Sequence, residues 1–303
     1  MKKTINFLPL IFCSVFFSSC SLDKLIMGNM LSSAGDGISS IYLSEDDPEL
    51  VRESLPTNMK LIELLINQSP NNQQLLTAAC QVFTVYAYSF LLRDAEIAMD
   101  EDFSTARKLY SRSRNLLKRA RDYGLKALEV SHPGFKESYN DNPKNTLMKT
   151  NDKDIPSLYW TAAAWGLYIS VSKDNPSAII ELPNIGFFLE RALELDEDYE
   201  RGAIHDLMFT YTLSRPDGGS SAIVVAKEHY NRAIDLSEGS RASLYVSYAE
   251  SISIPNQNKQ EFLHLLDQAI GVDINKFPDQ RLANILAQER ANWLKTRLDE
   301  LFF

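Results

Sequence analysis

Apolar residues recur at spacings of three and four positions from about Glu49 to the C-terminus of this 303-residue chain. This spacing places apolar side chains on one face of an α-helix, whereas a half-buried β-strand needs a spacing of two. Glycine and proline number only 12 each, which favours long regular elements joined by short connections. The pattern predicts an all-α protein.

The segment from Phe103 to Val130 shows the pattern most clearly. Its apolar positions fall on one helical face: Ala106, Leu109, Tyr110, Leu116, Leu117, Ala120, Tyr123 and Leu128. Its basic positions fall on the other: Arg107, Lys108, Arg112, Arg114, Lys118, Arg119, Arg121 and Lys126. We interpret the basic face as solvated, and the alternative is a surface that binds lipid headgroups or an acidic partner.

The segment from Leu75 to Leu92 is long and apolar enough to suggest a membrane span. It also carries polar side chains, among them Thr77, Gln81 and Ser89, which make insertion into lipid unfavourable. We therefore predict a helix that is buried on most sides.

Four segments share one frame of apolar residues around an alanine. The shared alanines are Ala127, Ala192, Ala233 and Ala269, at successive spacings of 65, 41 and 36 residues. The last two spacings approach the length of about 34 residues of a tetratricopeptide repeat, and the pattern resembles the second helix of that repeat. It predicts a helix-turn-helix solenoid of about four degenerate repeats, preceded by an additional N-terminal helical region.

Breaks in the pattern lie between these segments. The stretch 132–156 is rich in Asn, Asp, Pro and Gly, and it predicts a long exposed loop inserted between repeats. Shorter breaks at 173–176, 215–220 and 255–258 separate helices and do not mark domain boundaries. Residues 20–303 are therefore predicted to form a single domain.

The first 19 residues have the pattern of a signal peptide. Lys2 and Lys3 precede an apolar stretch, 5–17, that is too short to span a hydrocarbon core of about 30 Å. Ser18 and Ser19 then lead to Cys20, which we predict to be the lipid attachment site. The alternative is an ordinary secretory signal, and Ser21, in place of Asp, favours the outer membrane.

The net charge and the number of cysteines limit the possible partners and disulfide bonds of this chain. The formal net charge of −9 disfavours nucleic acid as a partner. Cys13 leaves with the signal peptide and Cys20 is used by the lipid, so Cys80 is the single free thiol and no intramolecular disulfide forms. Its apolar neighbours predict that Cys80 is buried and structural.

Motifs for catalysis or metal binding are missing from the sequence. Gly-x-Ser-x-Gly and the phosphate-binding glycine loop are absent, and the four histidines have no second ligand at helical spacing. The acidic runs lack the pattern of a calcium loop. The sequence therefore predicts no catalytic residues, no metal and no cofactor, and the protein is not expected to be an enzyme.

Aromatic residues concentrate in two helical segments, one with Phe83, Tyr86, Tyr88 and Phe90 and one with Tyr159, Trp160, Trp165 and Tyr168. Core packing explains them simply, while aromatic walls beside small residues also suit a ligand cleft. The candidates for lining such a cleft are Tyr86, Tyr159, Trp160, Trp165 and Tyr168.

Several segments in order resemble one known family. They are Phe-Ser-Ser-Cys at 17–20, DDPELV at 46–51, LYW…AWG at 158–166, SKD followed by ELP within 172–183, RALELD at 191–196, and LAQERANWL…LDELF at 286–302. Together they are similar to the T component, an accessory lipoprotein associated with tripartite ATP-independent periplasmic (TRAP) transporters. The similarity extends over nearly the whole chain after Cys20.

The resemblance implies a periplasm-facing homotrimer whose protomers contain a cleft or pore. It implies a partner, the periplasmic solute-binding P component, and a hydrophobic or organic-acid ligand. The alternative function is a tetratricopeptide scaffold lipoprotein that assists outer-membrane protein assembly.

Overall fold

The computed structural model describes residues 41–303, and every regular element in that range is helical. The predicted all-α class is confirmed. The predicted signal peptide and Cys20 lie outside the described residues.

The α-helices fall into an N-terminal and a C-terminal half. The N-terminal helices are α1 (Pro48–Gln68), α2 (Gln73–Tyr86), α3 (Arg93–Ala98), α4 (Phe103–Ser131), α5 (Phe135–Asp141), α6 (Pro143–Leu147) and α7 (Ile155–Ser170). The C-terminal helices are α8 (Pro176–Ile179), α9 (Leu182–Leu195), α10 (Ala203–Ser214), α11 (Gly219–Leu236), α12 (Ala242–Tyr248), α13 (Lys259–Ile270), α14 (Arg281–Lys295) and α15 (Leu298–Leu301). A π-helical turn, Ala87–Leu92, joins α2 to α3, a second, Ala249–Ser253, follows α12, and short 3₁₀ turns at Asp152–Asp154 and Pro278–Gln280 precede α7 and α14.

Local sequence sets the beginnings of the long helices. The Asp47 carboxylate accepts hydrogen bonds from the backbone N–H groups of Glu49 and Leu50, and Pro48 occupies the first turn. Asp102 caps α4 in the same way through Thr105. These caps satisfy amides that have no partner within the helix.

Helix α4 occupies nearly the predicted range and is buried along the predicted face. Ala106, Leu117, Ala120 and Leu128 are fully buried, and the helix packs against α2 on one side and α7 on the other. The alanines permit close approach of the neighbouring helices, while the leucines fill the space between them.

The four alanines of the shared frame are all fully buried. Ala127 lies on α4, Ala192 on α9, Ala233 on α11 and Ala269 on α13. Their burial is the environment expected of the small position in a helix pair. The tetratricopeptide repeat itself stays a prediction.

The helices contact one another in a closed circuit. Helix α2 packs on α4, α4 on α7, α7 on α9, and the order continues through α10, α11, α12 and α13 to α14. Helix α14 then returns to α1, and Leu282 joins the apolar cluster formed mainly by α1 and α2. Ion pairs reinforce the closure, because Arg93 binds Glu289 and Arg290 binds Glu96.

Helix α2, the π-helical turn and α3 form one continuous helical rod, Gln73–Ala98, that is long and apolar enough to cross a membrane by length and composition alone. Of its most apolar window, 67% is buried inside the fold. This agrees with the predicted buried helix.

The prediction of a long exposed loop at 132–156 is wrong. This stretch contains α5, α6 and a 3₁₀ turn, and Phe135, Tyr139 and Leu147 are buried against α9 and its neighbours. Each helix has only one or two apolar anchors among polar residues, so the composition resembled that of a loop. The shorter breaks at 173–176, 215–220 and 255–258 do separate helices as predicted.

Asp154 ties this segment to the core and is 1% exposed. Its carboxylate accepts hydrogen bonds from Gln73 Nε2 at 2.9 Å, Ser131 Oγ at 3.0 Å and the Asn151 N–H at 3.0 Å, and it lies 2.7 Å from His132 Nε2. Burial alone would raise the pKa of this carboxyl. Hydrogen bonds from Asn151, His132 and Ser131 outweigh burial and hold its pKa below the ordinary value.

Because the pKa of Asp154 is lower in the folded state than in the unfolded state, the protein loses stability as the pH falls. The stabilisation from Asp154 is fully present above the unfolded pKa of about 4 and is lost as the pH falls through the folded pKa. We expect the free energy of unfolding to decrease below about pH 4, and Asp154→Asn to remove part of that pH dependence. Urea unfolding at a series of pH values checks this, and equal pH slopes in both proteins would contradict it.

Gly124 of α4 lies close against Thr161 of α7 and Cys80 of α2. A Cβ at this position would overlap Thr161 Oγ1, and it would also lie 3.0 Å from Thr161 Cβ and 3.1 Å from Cys80 Sγ, tighter than ordinary contacts. We expect Gly124→Ala to lower the free energy of unfolding by about 1–3 kcal/mol, because both neighbours are fully buried and cannot move freely. Urea unfolding measures this loss.

Gly166 on α7 is the matched control. A Cβ there meets Ile185 Cδ1 at 3.5 Å, an ordinary van der Waals distance. Gly166→Ala should raise the free energy of unfolding by about 0.4–1 kcal/mol, since alanine restricts the unfolded chain. Equal losses in the two variants would contradict the steric argument.

Candidate functional site

Two of the predicted aromatic residues lie deep in the core. Tyr86 is 7% exposed and packs against Phe90, with the Arg112 guanidinium over its ring. Trp165 is 6% exposed, lies against Phe188, and donates a hydrogen bond from Nε1 to Glu181.

The other three predicted residues are partly buried and fall into two groups. Tyr159 and Trp160 form an edge-to-face pair, and Tyr159 also contacts Tyr199 at a ring distance of 5.4 Å. Tyr168 lies under the Arg121 guanidinium, which also covers Trp165. The five residues therefore do not share one surface, and their role as ligand contacts stays a prediction.

Tyr88, which was not among the predicted lining residues, occupies a different position. Its side chain is 58% exposed on the first π-helical turn. Burial by the surrounding protein nevertheless raises the pKa of Tyr88 to about 12, and the nearby Glu250 and Asp206 carboxylates raise it further. Partial exposure together with this effect of the surrounding protein is the combination expected of a side chain in a concavity.

The charged groups that shift the pKa of Tyr88 lie on four different helical elements of the circuit. Asp206 is on α10, Glu250 is on the second π-helical turn, Arg290 is on α14 and Glu96 is on α3. Tyr159 on α7 belongs to the same region, because its pKa is raised by burial and then by Glu200 and Asp206. We take this region as the candidate central cleft, called the central cleft below, and define it by Tyr88, Tyr159, Glu200, Asp206 and Glu250.

One arginine organises the acidic side of the central cleft. Arg290 donates to Glu250 Oε1 at 2.6 Å and to Glu96 Oε1 at 2.8 Å, so it joins α14 to α3 and to the second π-helical turn. Burial raises the pKa of Glu250 and Glu96 adds to the effect, while Arg290 opposes it. This bridge holds together the two halves of the circuit that meet at the cleft.

Asp206 has a different environment from Glu250. Its carboxylate accepts a hydrogen bond from Ser243 Oγ at 2.9 Å, and burial raises its pKa while the more distant Arg241 lowers it. Arg241 itself donates to the Glu200 backbone carbonyl. Burial and Asp279 raise the pKa of Glu200.

Both π-helical turns place a side chain in the central cleft. Tyr88 lies in Ala87–Leu92 and Glu250 lies in Ala249–Ser253. A π-helical turn adds a residue to the turn and rotates the side chains that follow, and such turns occur frequently at functional sites. The cleft is therefore shaped by local departures from regular helix.

Sequence reasoning missed Tyr88, Asp206 and Glu250 for two reasons. Tyr88 is two positions from Tyr86, about 200° around an α-helix, so the two tyrosines cannot lie on one face. This difference in direction around the helix is the sequence feature that could have distinguished Tyr88 from Tyr86. Asp206 and Glu250 approach Tyr88 only because the circuit closes, and no spacing along the chain reports this.

The cysteine and two of the histidines are buried or partly buried away from these groups. Cys80 is fully buried, as predicted, and burial raises the pKa of its thiol to about 12. His205 Nδ1 and His229 Nδ1 lie 2.8 Å apart, and burial together with His205 lowers the pKa of His229 to about 4. Within residues 41–303, no three or more His, Cys, Asp or Glu side chains are grouped to hold a metal ion.

Comparison with known proteins adds two findings. A model of the family described as TRAP transporter T-component matches residues 44–302. A protein of Treponema pallidum (strain Nichols), named only as an uncharacterized protein, is 28% identical over 269 residues, which cover 86% of this chain and 82% of the relative.

Proposed function

Since this chain belongs to the TRAP transporter T-component family, we propose that it docks the periplasmic solute-binding protein of a TRAP transporter and holds a ligand in the central cleft. The family gives the chain an accessory role in TRAP transport and a periplasmic or membrane-associated location. Docking of the solute-binding protein and ligand binding go beyond the family-level role, and they are our proposal.

The central cleft is the observation that carries the ligand-binding part. Tyr88 is 58% exposed, and the Asp206 and Glu250 carboxylates, from separate parts of the circuit, both raise its pKa. Exposed aromatic surface inside a concave region is a typical feature of small-molecule sites. A protein-docking role suits the outside of the same circuit, because helical solenoids present extended surfaces to partners.

Binding without catalysis is part of the proposal. The cleft carboxylates are held by Arg290 and Ser243 in hydrogen bonds that fix their positions. Among the residues 41–303, the free thiol of Cys80 is fully buried, and the raised pKa keeps it protonated. A reacting nucleophile must instead be accessible and must be activated, either by a lowered pKa or by a neighbouring base.

We extend the proposal to the membrane attachment, the oligomeric state and the repeat architecture of the protein. The chain is a single lipid-anchored domain, attached through Cys20 to the periplasmic side of the outer membrane, and it assembles as a homotrimer. Its helix pairs form degenerate tetratricopeptide-like repeats. These statements follow from the N-terminal sequence, the alanine frame and the family resemblance.

Sedimentation velocity with the co-expressed solute-binding protein tests docking. We expect the two proteins to sediment together, while a solute-binding protein from an unrelated transporter sediments separately. Deleting the gene should lower uptake of one solute and leave outer-membrane protein levels unchanged. Separate sedimentation with the partner, or a general fall in outer-membrane proteins, would contradict the proposal and favour the assembly scaffold.

A further inference from the structure

We infer that the outer side of α1 and α4 lies against the membrane surface, with a row of cations on α4 meeting anionic phospholipid headgroups. The inference rests on the proposed attachment through Cys20, and it adds which side of the protein faces the bilayer.

The eight basic residues of α4 divide into two sets. Three are held in ion pairs with neighbouring segments, namely Arg114 with Asp174, Arg119 with Glu63 and Arg121 with Glu181. The other five side chains are exposed or nearly so, and within residues 41–303 no carboxylate lies within 4.0 Å of their nitrogens: Arg107, Lys108, Arg112, Lys118 and Lys126. We call these five residues the outer basic row.

The outer basic row follows one exposed strip of the helix. At 100° per residue its five members fall within an arc of about 140°, and from Arg107 to Lys126 the strip is about 29 Å long. Asp122, the one acidic residue between these two ends, is paired with Arg121 at 2.9 Å. A straight row of this length on an outward face suits a flat partner better than a small ligand.

The positive charge of α4 contrasts with the acidic chain around it. The whole chain has 31 Lys and Arg against 40 Asp and Glu, whereas the 29 residues of α4 contain eight basic and two acidic residues. Neighbouring cations without partners repel one another. Anionic headgroups would relieve this repulsion, since basic clusters are attracted to the negative surface of a membrane.

An exposed apolar pair lies beside the outer basic row, on α1. Leu61 and Leu64 are 45% and 52% exposed. Between them, Glu63 accepts a hydrogen bond from Tyr123 Oη at 2.7 Å and pairs with Arg119, so α1 and α4 lie side by side at this point. Exposed leucines next to cations are the combination that favours the interface between headgroups and acyl chains.

The proposed lipid anchor favours a bilayer as the occupant of this surface. Helix α1 begins at Pro48, close in the chain to Cys20. A tether raises the local concentration of headgroups, so the contact needs little affinity of its own. Salt screens exposed charges over about 8 Å at physiological ionic strength, and we therefore expect the row to orient the anchored protein but not to hold it without the lipid.

Sedimentation with phospholipid vesicles tests the inference on the mature Cys20→Ala chain, which lacks the lipid. The vesicles are made of phosphatidylcholine alone or with about a third phosphatidylglycerol. At low ionic strength we expect at least about tenfold tighter binding to the anionic vesicles, and most of this difference should be lost in about 0.5 M salt because the charges are screened. Equal binding to the two vesicles, or binding to neither, would overturn the inference.

A triple variant locates the binding on α4. Lys108→Gln, Lys118→Gln and Lys126→Gln together remove three charges from the outer basic row. Each cation near an anionic surface contributes a factor of roughly five, so binding to the anionic vesicles should fall at least about tenfold. The changed side chains are exposed, and circular dichroism should show an unaltered helical body.

The matched control removes the same charge elsewhere. Lys149→Gln, Lys153→Gln and Lys259→Gln change three exposed lysines that lie outside α1 and α4. This variant should bind the anionic vesicles as the unaltered sequence does. Equal losses in the two triple variants would mean that net charge and not the outer basic row governs binding, which would overturn the assignment.

A double variant tests the contribution of α1. Leu61→Gln with Leu64→Gln should weaken binding to the anionic vesicles about threefold, because apolar burial adds to the attraction of charges. Val224→Gln with Val225→Gln is the control, since both valines are exposed on α11. Unchanged binding of the leucine variant would remove α1 from the membrane-facing side.

The lysine variant also separates a membrane from a protein partner. If it binds vesicles normally but no longer sediments with the solute-binding protein, or loses self-association, the outer basic row is a protein interface and the inference is wrong. Attachment through Cys20 and docking are measured on chains that keep the row intact. Either of those proposals can therefore fail while the vesicle result stands.

Discussion

Replacing Cys20 with alanine is expected to move the protein from the membrane fraction to the soluble fraction while its helical body stays folded. A lipidated cysteine carries several acyl chains, and each buried methylene contributes about 0.8 kcal/mol, so attachment through two or more chains is effectively permanent. The helical body is expected to stay folded because the described residues 41–303 bury three apolar clusters among themselves. Cell fractionation measures the loss of membrane attachment. Circular dichroism of the purified variant measures whether the helical body stays folded.

Cys13→Ala is the matched control for this experiment. It removes another cysteine from the N-terminal region but leaves Ser18, Ser19 and Cys20 in place. We expect this variant to remain with the membrane and to incorporate palmitate, as the unaltered chain should. A Cys20→Ala protein that still sediments with membranes would show that something other than the lipid holds it there.

The parts of the fold that can be predicted from sequence are those with local causes. Helix α1 begins at Pro48 because Asp47 caps it, and both residues are adjacent in the chain. Helix α4 begins at the predicted residue and ends one residue beyond the predicted range, and its apolar and basic faces continue through about eight turns. A capping residue or a helical period needs no knowledge of the rest of the molecule.

The segment 132–156 shows where local reasoning fails. Its helices α5 and α6 are 7 and 5 residues long, too short to show a helical period. Packing of Phe135, Tyr139 and Leu147 onto distant helices holds them in place. Most of the polar residues between these anchors face outward and dominate the composition, which therefore indicated a loop.

The central cleft could be predicted only in part. Aromatic density pointed to the two helical segments that carry Tyr88 and Tyr159. The π-helical turn that carries Tyr88 and the approach of Asp206 and Glu250 depend on long-range closure. Hydrogen bonds such as the one between Arg290 and Glu96 join residues 194 positions apart, and no local pattern encodes them.

Phe188→Ala is expected to cause the largest loss of stability, about 3–5 kcal/mol of the free energy of unfolding. Phe188 is fully buried on α9 and lies in ring contact with Phe135, Tyr139 and Trp165. Removing its ring leaves a cavity where α5, α7 and α9 meet, and the surrounding rings cannot all move in to fill it. Urea unfolding followed by circular dichroism measures the loss.

Phe187→Ala separates burial from the simple loss of a phenyl ring. Phe187 is the preceding residue on the same helix, is only partly buried, and has Lys144 over its ring. Its replacement should lower the free energy of unfolding by about 1 kcal/mol, the usual cost away from a packed core. A loss at Phe187 as large as that at Phe188 would mean that α9 turns a different face to the core.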